Sequence, residues 1–263
     1  MGMTTWKYDA AWPAVYSWQY VDWYLNVGGA YYGAKKACEP LHVQYSYDDN
    51  SIYVINSYYK DFKDLKVVAR LLNLDLSEKF NKSSVVNVSS DGKTEVFKIE
   101  FPEGLCKTFF LKLSLEDNTG KLISDNFYWL STQKDIEGTK QELKSPRGFD
   151  WDLFKVQPKS VADFTALNQL PQTTVEKSVS LQENGSETKA TVNLKNTGSS
   201  LAFMVHLSMT KGEGGDEIDP AYWDDNYFSL LPGESREIKV RFKKEDQGNT
   251  PAVLKVDGWN IKD

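Results

Sequence analysis

From Leu41 onward the chain alternates. Leu41, Val43, Tyr45 and Tyr47 are separated by His42, Gln44 and Ser46, the period-two pattern of a strand with one face buried. Asp48-Asp49-Asn50 supplies a turn, and 51–57 returns as the hairpin partner. Up to about residue 133 the same signal predicts strands over 65–74, 84–88, 95–101, 108–115 and 122–130. Turn residues separate them at Asp91-Gly92, Pro102-Glu103-Gly104 and Asp117-Asn118-Thr119-Gly120. Short antiparallel strands at this spacing predict an immunoglobulin-like sandwich. After Thr173 the pattern repeats, with strands predicted over 173–182, 187–196, 201–210, 227–231, 236–243 and 253–256. Asn184-Gly185 is the strongest hairpin signal.

Two stretches break the alternation. In 14–26, AVYSWQYVDWYLN, Trp18, Val21, Tyr24 and Leu25 recur at spacings of three and four, which predicts a helix stopped at Gly28-Gly29. A second short helix is predicted over 30–38, ending before Pro40. Residues 134–172 start polar and turn-rich. They then carry Phe149, Trp151, Leu153, Phe154, Phe164, Leu167 and Leu170 without alternation, as expected of a linker packed against its neighbours as a rigid connection. The expected organisation is therefore residues 1–39 as a separate N-terminal piece, 40–133 as one sandwich, 134–172 as a linker and 173–263 as a second sandwich.

Composition adds one anomaly and several exclusions. Aromatic residues make up 13% of the 263-residue chain, and Trp6, Trp12, Trp18 and Trp23 are four of its eight tryptophans. Each such ring removes roughly 150–250 Å² from water when buried, more than a helical hairpin of this length can cover. The rings are expected to pack on the adjacent sandwich, on another copy of the chain, or to remain poorly ordered. A formal net charge of −6 argues against a nucleic-acid footprint. No apolar run reaches the length of a membrane span. The start MGMTTWKYD lacks the basic and apolar regions of a signal peptide, and Met1-Gly2-Met3 reads as an added start, expected of a truncated chain. Cys38 and Cys106 lie in separate units and match no metal spacing; two buried thiols are expected. His42 and His206 fall far apart in strand patterns, so neither zinc nor a His-based triad is expected, and no cofactor is implied.

Two places could carry chemistry. The run EGGDEIDPAYWDD holds Glu213, Asp216, Glu217, Asp219, Asp224 and Asp225 on one Gly- and Pro-rich loop. A structural loop, a calcium site and a contact with a substrate cleft all remain open for it, although the spacing is not that of an EF-hand. Trp12, followed by Pro13, is either a core residue fixing a sharp turn or an exposed ring of the kind α/β barrels present at their active face.

The run WKYDAAWPAVYSWQYVDWYLNVGGAYYGAKKACEPLHVQYSYDD resembles the end of the catalytic barrel in glycoside hydrolase family two, in the branch of exo-β-D-glucosaminidases and β-mannosidases. DFTALNQLP, GDEIDPAYWDDNYFSLLPGE and VDGWNI resemble that branch's C-terminal domain. The resemblance implies a mostly β fold: two immunoglobulin-like sandwiches preceded by a short helical remnant of a (β/α)8 barrel. It implies a non-catalytic C-terminal fragment of a retaining exo-β-glycosidase that hydrolyses terminal β-linked glucosamine or mannose, with the fragment supporting the missing barrel. The family's two catalytic glutamates belong to earlier barrel strands, upstream of Thr4, and no glutamate precedes Glu39 here. No catalytic residue is therefore assigned. Trp12 matches the last barrel loop and is expected to line the sugar cleft, with Asp9 beside it as a polar contact. The implied partners are a carbohydrate substrate, met through the parent enzyme, and the absent barrel; the parent is expected to be periplasmic or secreted. A reading of a different class is a tandem immunoglobulin-like module that binds carbohydrate or protein.

Overall fold

The alternating stretches form strands because their apolar residues share one face and can be buried only by pairing and stacking. In the computed structural model, which describes residues 8–13, 19–136 and 158–262, the chain divides into two units. One is Pro40–Gln169. The other joins Met1–Glu39 to Leu170–Asp263.

In the Pro40–Gln169 unit the strands are β1 (Leu41–Tyr45), β2 (Ser51–Asn56), β3 (Phe62–Asn73), β4 (Glu78–Val88), β5 (Gly92–Lys98), β6 (Thr108–Glu116) and β7 (Leu122–Ser131). They form two antiparallel sheets, ordered β1-β2-β5 and β4-β3-β6-β7. Register explains the core. Val67, Ala69 and Leu71 on β3 pair with Leu115, Leu113 and Leu111 on β6, and all six are fully buried. Lys66, Arg70 and Lys112 fall on the opposite face. Buried asparagines tie down the loops: Asn73 donates from Nδ2 to the Gly104 carbonyl (3.0 Å) and accepts at Oδ1 from the Cys106 amide (2.8 Å).

The other sandwich contains β8 (Val175–Asn184), β9 (Glu187–Asn196), β10 (Ala202–Lys211), β11 (Tyr222–Trp223), β12 (Phe228–Leu230), β13 (Ser235–Lys243) and β14 (Ala252–Asp257). Its sheets are ordered β12-β10-β14 and β11-β13-β9-β8. The β8–β9 hairpin turns at Gly185, whose φ of 60° a glycine adopts without a Cβ clash. Asn260 closes the bottom of this sandwich. Its Oδ1 accepts from the Phe203 amide (2.9 Å), and its Nδ2 donates to the Pro171 and Leu201 carbonyls (2.7 Å each).

Helix α1 (Gly29–Ala37) forms where the second helix was expected. The first expected helix, 14–26, does not. Residues 14–18 lie outside the described residues, and 19–27 run as isolated bridges around a turn: Val21 bridges both Asp9 and Val27. The cause is Asp22. Its Oδ1 accepts from the amides of Tyr24 (2.8 Å) and Asn26 (2.9 Å), and Leu25 adopts a φ of 69°; a side chain that captures nearby amides competes directly with the helix. The apolar stripe is not buried either, since Trp23, Tyr24 and Leu25 are all exposed.

The cysteines also differ from expectation: Cys38 and Cys106 are both free and exposed. Cys38 caps the end of α1 and Cys106 lies in the loop before β6, so neither occupies an inward strand position. Of the linker, 137–157, with Phe149, Trp151, Leu153 and Phe154, lies outside the described residues. Beyond it, a short 3-10 turn at Thr165–Gln169 buries Leu167. Asp163 caps that turn through the Thr165 amide (2.9 Å) and pairs with Lys107 (3.2 Å).

Candidate functional site: the docked N-terminal segment and the acidic loop

Of the N-terminal aromatics, Tyr31 and Tyr32 pack on the second sandwich, whereas Trp12 and Trp23 are exposed and Trp6 and Trp18 lie outside the described residues. Tyr32, on the inward face of α1, is 5% exposed and joins the core formed by Val205, Leu207, Met209 and Trp223. Around it the rings form a chain: Tyr31 meets Tyr32 edge-on at 5.2 Å, Tyr32 lies 6.0 Å from Tyr227, and Tyr227 stacks on His206 at 4.7 Å. The helix can approach this closely because it begins with glycine. A Cβ on Gly29 would lie 3.3 Å from the Tyr227 ring. Burial pushes the Tyr32 hydroxyl well above the usual tyrosine range, so it stays neutral, and it hydrogen-bonds the Asn226 side chain.

Asn226 links this contact to the sheet. Its Oδ1 accepts from the Leu207 amide (2.8 Å) and its Nδ2 donates to the Leu207 carbonyl (2.9 Å), so it pairs with β10 as another strand residue would. Lys35, in the last turn of α1, donates to the carbonyls of Trp223 (3.1 Å) and Asp224 (2.6 Å). None of these anchors was legible as such. Tyr32 and Lys35 lie on a predicted helix, but the partner surface begins about 190 residues later, and a buried asparagine carries no sequence signature.

The acidic loop between β10 and β11 meets the same segment. Glu217 bridges Thr210 and accepts at Oε2 from the Asn26 side-chain amide (3.1 Å). Asp225 pairs with Arg236 at 3.3 Å. Burial pushes the Asp219 carboxyl up to about 6; the charges of Glu217 and Asp22 add to the rise, and Lys211 partly offsets it. Glu213, Asp216 and Asp224 are exposed. Among the described residues, no group of three His, Cys, Asp or Glu side chains could hold a metal ion. The loop reads as a structural one that anchors Asn26 and buries Ile218.

Of the two sequence-nominated positions, Trp12 has 68% of its surface exposed, so it is not a core residue in this chain. Asp9 is exposed and engages Val21 through backbone only, in a bridge where Ala10 donates to the Val21 carbonyl (3.2 Å). The segment thus presents Asp9 and Trp12 outward from a strand-like pairing while α1 fixes its far end. No pair of carboxylates on rigid elements, as glycoside hydrolysis requires, faces them among the described residues.

Residues 48–135 match the family described as the mannosidase Ig/CBM-like domain, and residues 153–261 match the exo-β-D-glucosaminidase Ig-fold domain. These are Ig-fold domains of the exo-β-D-glucosaminidase and mannosidase branch of glycoside hydrolase family two. An exo-β-D-glucosaminidase of Streptomyces avermitilis is 37% identical over 98% of this chain. The crystal structure of the exo-chitosanase CsxA of Amycolatopsis orientalis superposes with a TM-score of 0.85 at 33% identity over 96% of the chain. A β-D-mannosidase from Dictyoglomus thermophilum, at 18% identity and a TM-score of 0.60, shares the fold. The chain spans 28% of the Streptomyces protein and 29% of the CsxA chain. Within this chain, the domain matched over 153–261 is also the surface that Asn26, Tyr32 and Lys35 contact.

Proposed function

We propose that this chain is the non-catalytic C-terminal part of a retaining exo-β-glycosidase that removes terminal β-linked glucosamine or mannose. Its sandwiches buttress the barrel, and residues 1–39 are the last strand, loop and helix of that barrel. The observation that carries the reading is the similarity to exo-β-D-glucosaminidases along 98% of this chain, which includes the segment before Pro40 as well as the sandwiches. The docking of α1 into the second sandwich supports it, because a barrel's final helix seated on an Ig domain gives that domain a supporting role. In this reading Trp12 lines the sugar cleft, its ring stacking on a pyranose, with Asp9 as a polar neighbour. The catalytic glutamates are supplied by sequence other than these 263 residues.

The test is hydrolysis of nitrophenyl β-D-glucosaminide and nitrophenyl β-D-mannoside by the isolated chain. No turnover above a heat-killed control is expected; turnover would overturn the non-catalytic assignment. A calorimetric titration with chito- and manno-oligosaccharides is expected to give no heat. Measurable binding would favour the tandem carbohydrate-binding module instead.

A further inference from the structure

The contact between residues 19–28 and the second sandwich has an ionisable centre that the supporting role does not use. A cavity of about 20 Å³, room for about one water, is lined by Asn26, Ser208, Glu217 and Asp219, with His206 and Tyr32 also on its wall. Ser208 is 5% exposed and its hydroxyl has no hydrogen-bond partner. It lies two residues from His206 on β10, on the face opposite core residues Leu207 and Met209. The charged groups acting on Asp219 come from each element around it: Glu217 from its own loop, Asp22 from the N-terminal segment and Lys211 from the end of β10. Three carboxylates and one lysine leave the cluster short of positive charge. Two of the acids, Glu217 and Asp22, are held by Asn26, whose side chain donates to Glu217 and whose backbone amide donates to Asp22.

We propose that this cluster is an acid-tightened latch: with Asp219 protonated, residues 19–28 are held on the sandwich, and ionisation of Asp219 loosens them. Protonation removes one of three like charges and turns Asp219 into a donor beside a cavity that contains an unpaired hydroxyl. Ionisation restores repulsion between Asp219 on the loop and Asp22 on the segment, and lifting the segment away relieves it. The direction follows from the environment. Burial and the two neighbouring carboxylates raise Asp219 to about 6, so the docked state binds a proton more tightly than the undocked one. The part of that rise contributed by the docked segment, through Asp22 and the burial it adds, stabilises docking at acid pH and is lost as pH rises through about 6. The inference concerns contacts within this chain and does not depend on the glycosidase reading.

Hydrogen exchange of the full chain tests it. The Leu25 and Gly28 amides donate to the Asp22 and Tyr20 carbonyls within the segment, and the Tyr20 and Val21 amides donate to the Tyr8 carbonyl of the strand-like piece paired with it. After correction for intrinsic exchange, their protection is expected to fall about tenfold between pH 5 and pH 7.5. A tenfold change is smaller than the full pKa displacement would allow, because Asp219 is only half-buried and water screens it. In Asp219→Asn the protection should stay at the acidic level across the range, while Glu217→Gln and Asp22→Asn, which keep their acceptor oxygens, should each move the wild-type midpoint to lower pH. A flat wild-type profile, or a slope retained in Asp219→Asn, overturns the latch. Should Asp219→Asn fail to fold, NMR titration of the wild-type Asp219 carboxyl decides: a midpoint near 4 overturns the proposal and one near 6 supports it.

Discussion

The two sandwiches share an architecture and differ in what covers them. In the Pro40–Gln169 unit the core is made by the unit's own strands, and its two largest fully buried side chains, Phe109 and Phe110, both come from β6. In the other unit the sheet β12-β10-β14 meets a segment from the far end of the sequence, and the contact is a mixture of rings, a lysine, an asparagine and carboxylates. A core built from contiguous β-hairpins can be wholly apolar, because every strand arrives with its backbone paired. A docked segment brings loop backbone and helix ends whose polar groups need partners. Its joint is therefore polar, and it is there that burial and neighbouring carboxylates raise Asp219 above the ordinary carboxylate value.

The largest effect should come from the self-contained core. Phe109→Ala leaves a cavity among fully buried neighbours and should cost about 3–5 kcal/mol. It should appear as lost protection of the β3 and β6 amides, with the second sandwich unchanged. If both sandwiches lose protection equally, the contrast between them fails. Next is Asn260→Ala, which deprives one buried amide and two carbonyls of their partner at once. A loss of about 2–4 kcal/mol is expected, read by denaturant unfolding of the second sandwich.

Tyr32→Phe should be milder. The ring still fills its pocket while the hydrogen bond to Asn226 is lost, so about 1 kcal/mol is expected, with α1 losing protection before β10 does. A larger and global loss would mean that α1 belongs to the sandwich core and is no separately docked element. The smallest effect concerns acid. Asp163 is held down to about 2, chiefly by the Thr165 hydroxyl and amide and then by Lys107. A depressed carboxyl stabilises above its unfolded value near 3.8 and loses that contribution as pH falls through about 2. Asp163→Ala should therefore weaken the 3-10 turn at neutral pH, with the difference from wild type shrinking as pH falls through about 2, as followed by exchange of the Thr165 and Leu167 amides.

The strands were legible wherever alternation was strict. The runs 187–196 and 108–115 were each read almost to the residue, because period-two burial has one solution. The N-terminal helix failed for a local reason: Trp18, Val21 and Leu25 repeat at helical spacing, but the carboxylate of Asp22 captures the amides of Tyr24 and Asn26. The candidate site was legible only in part. Trp12 and Asp9 could be nominated because they lie within a recognisable run; that Trp12 is solvent-facing could not. The tryptophan-rich segment was expected to seek an apolar partner, the adjacent sandwich among them. Its helix sits on the more distant one, anchored by Tyr32 and Lys35.

The sequence by itself determined that the chain is two β-sandwiches, where their hairpins turn, and which family of domains they resemble, since each follows from local periodicity, turn chemistry or residue order. Tertiary structure alone decided which sandwich receives the N-terminal segment, that Asn226 and Asn260 act as substitute strand partners, and that Asp22 and Asp219 share one small acidic cluster. The docking and the acidic cluster depend on groups roughly 190 residues apart meeting, and the two asparagines on partners 19 to 89 residues away; no local pattern encodes such meetings.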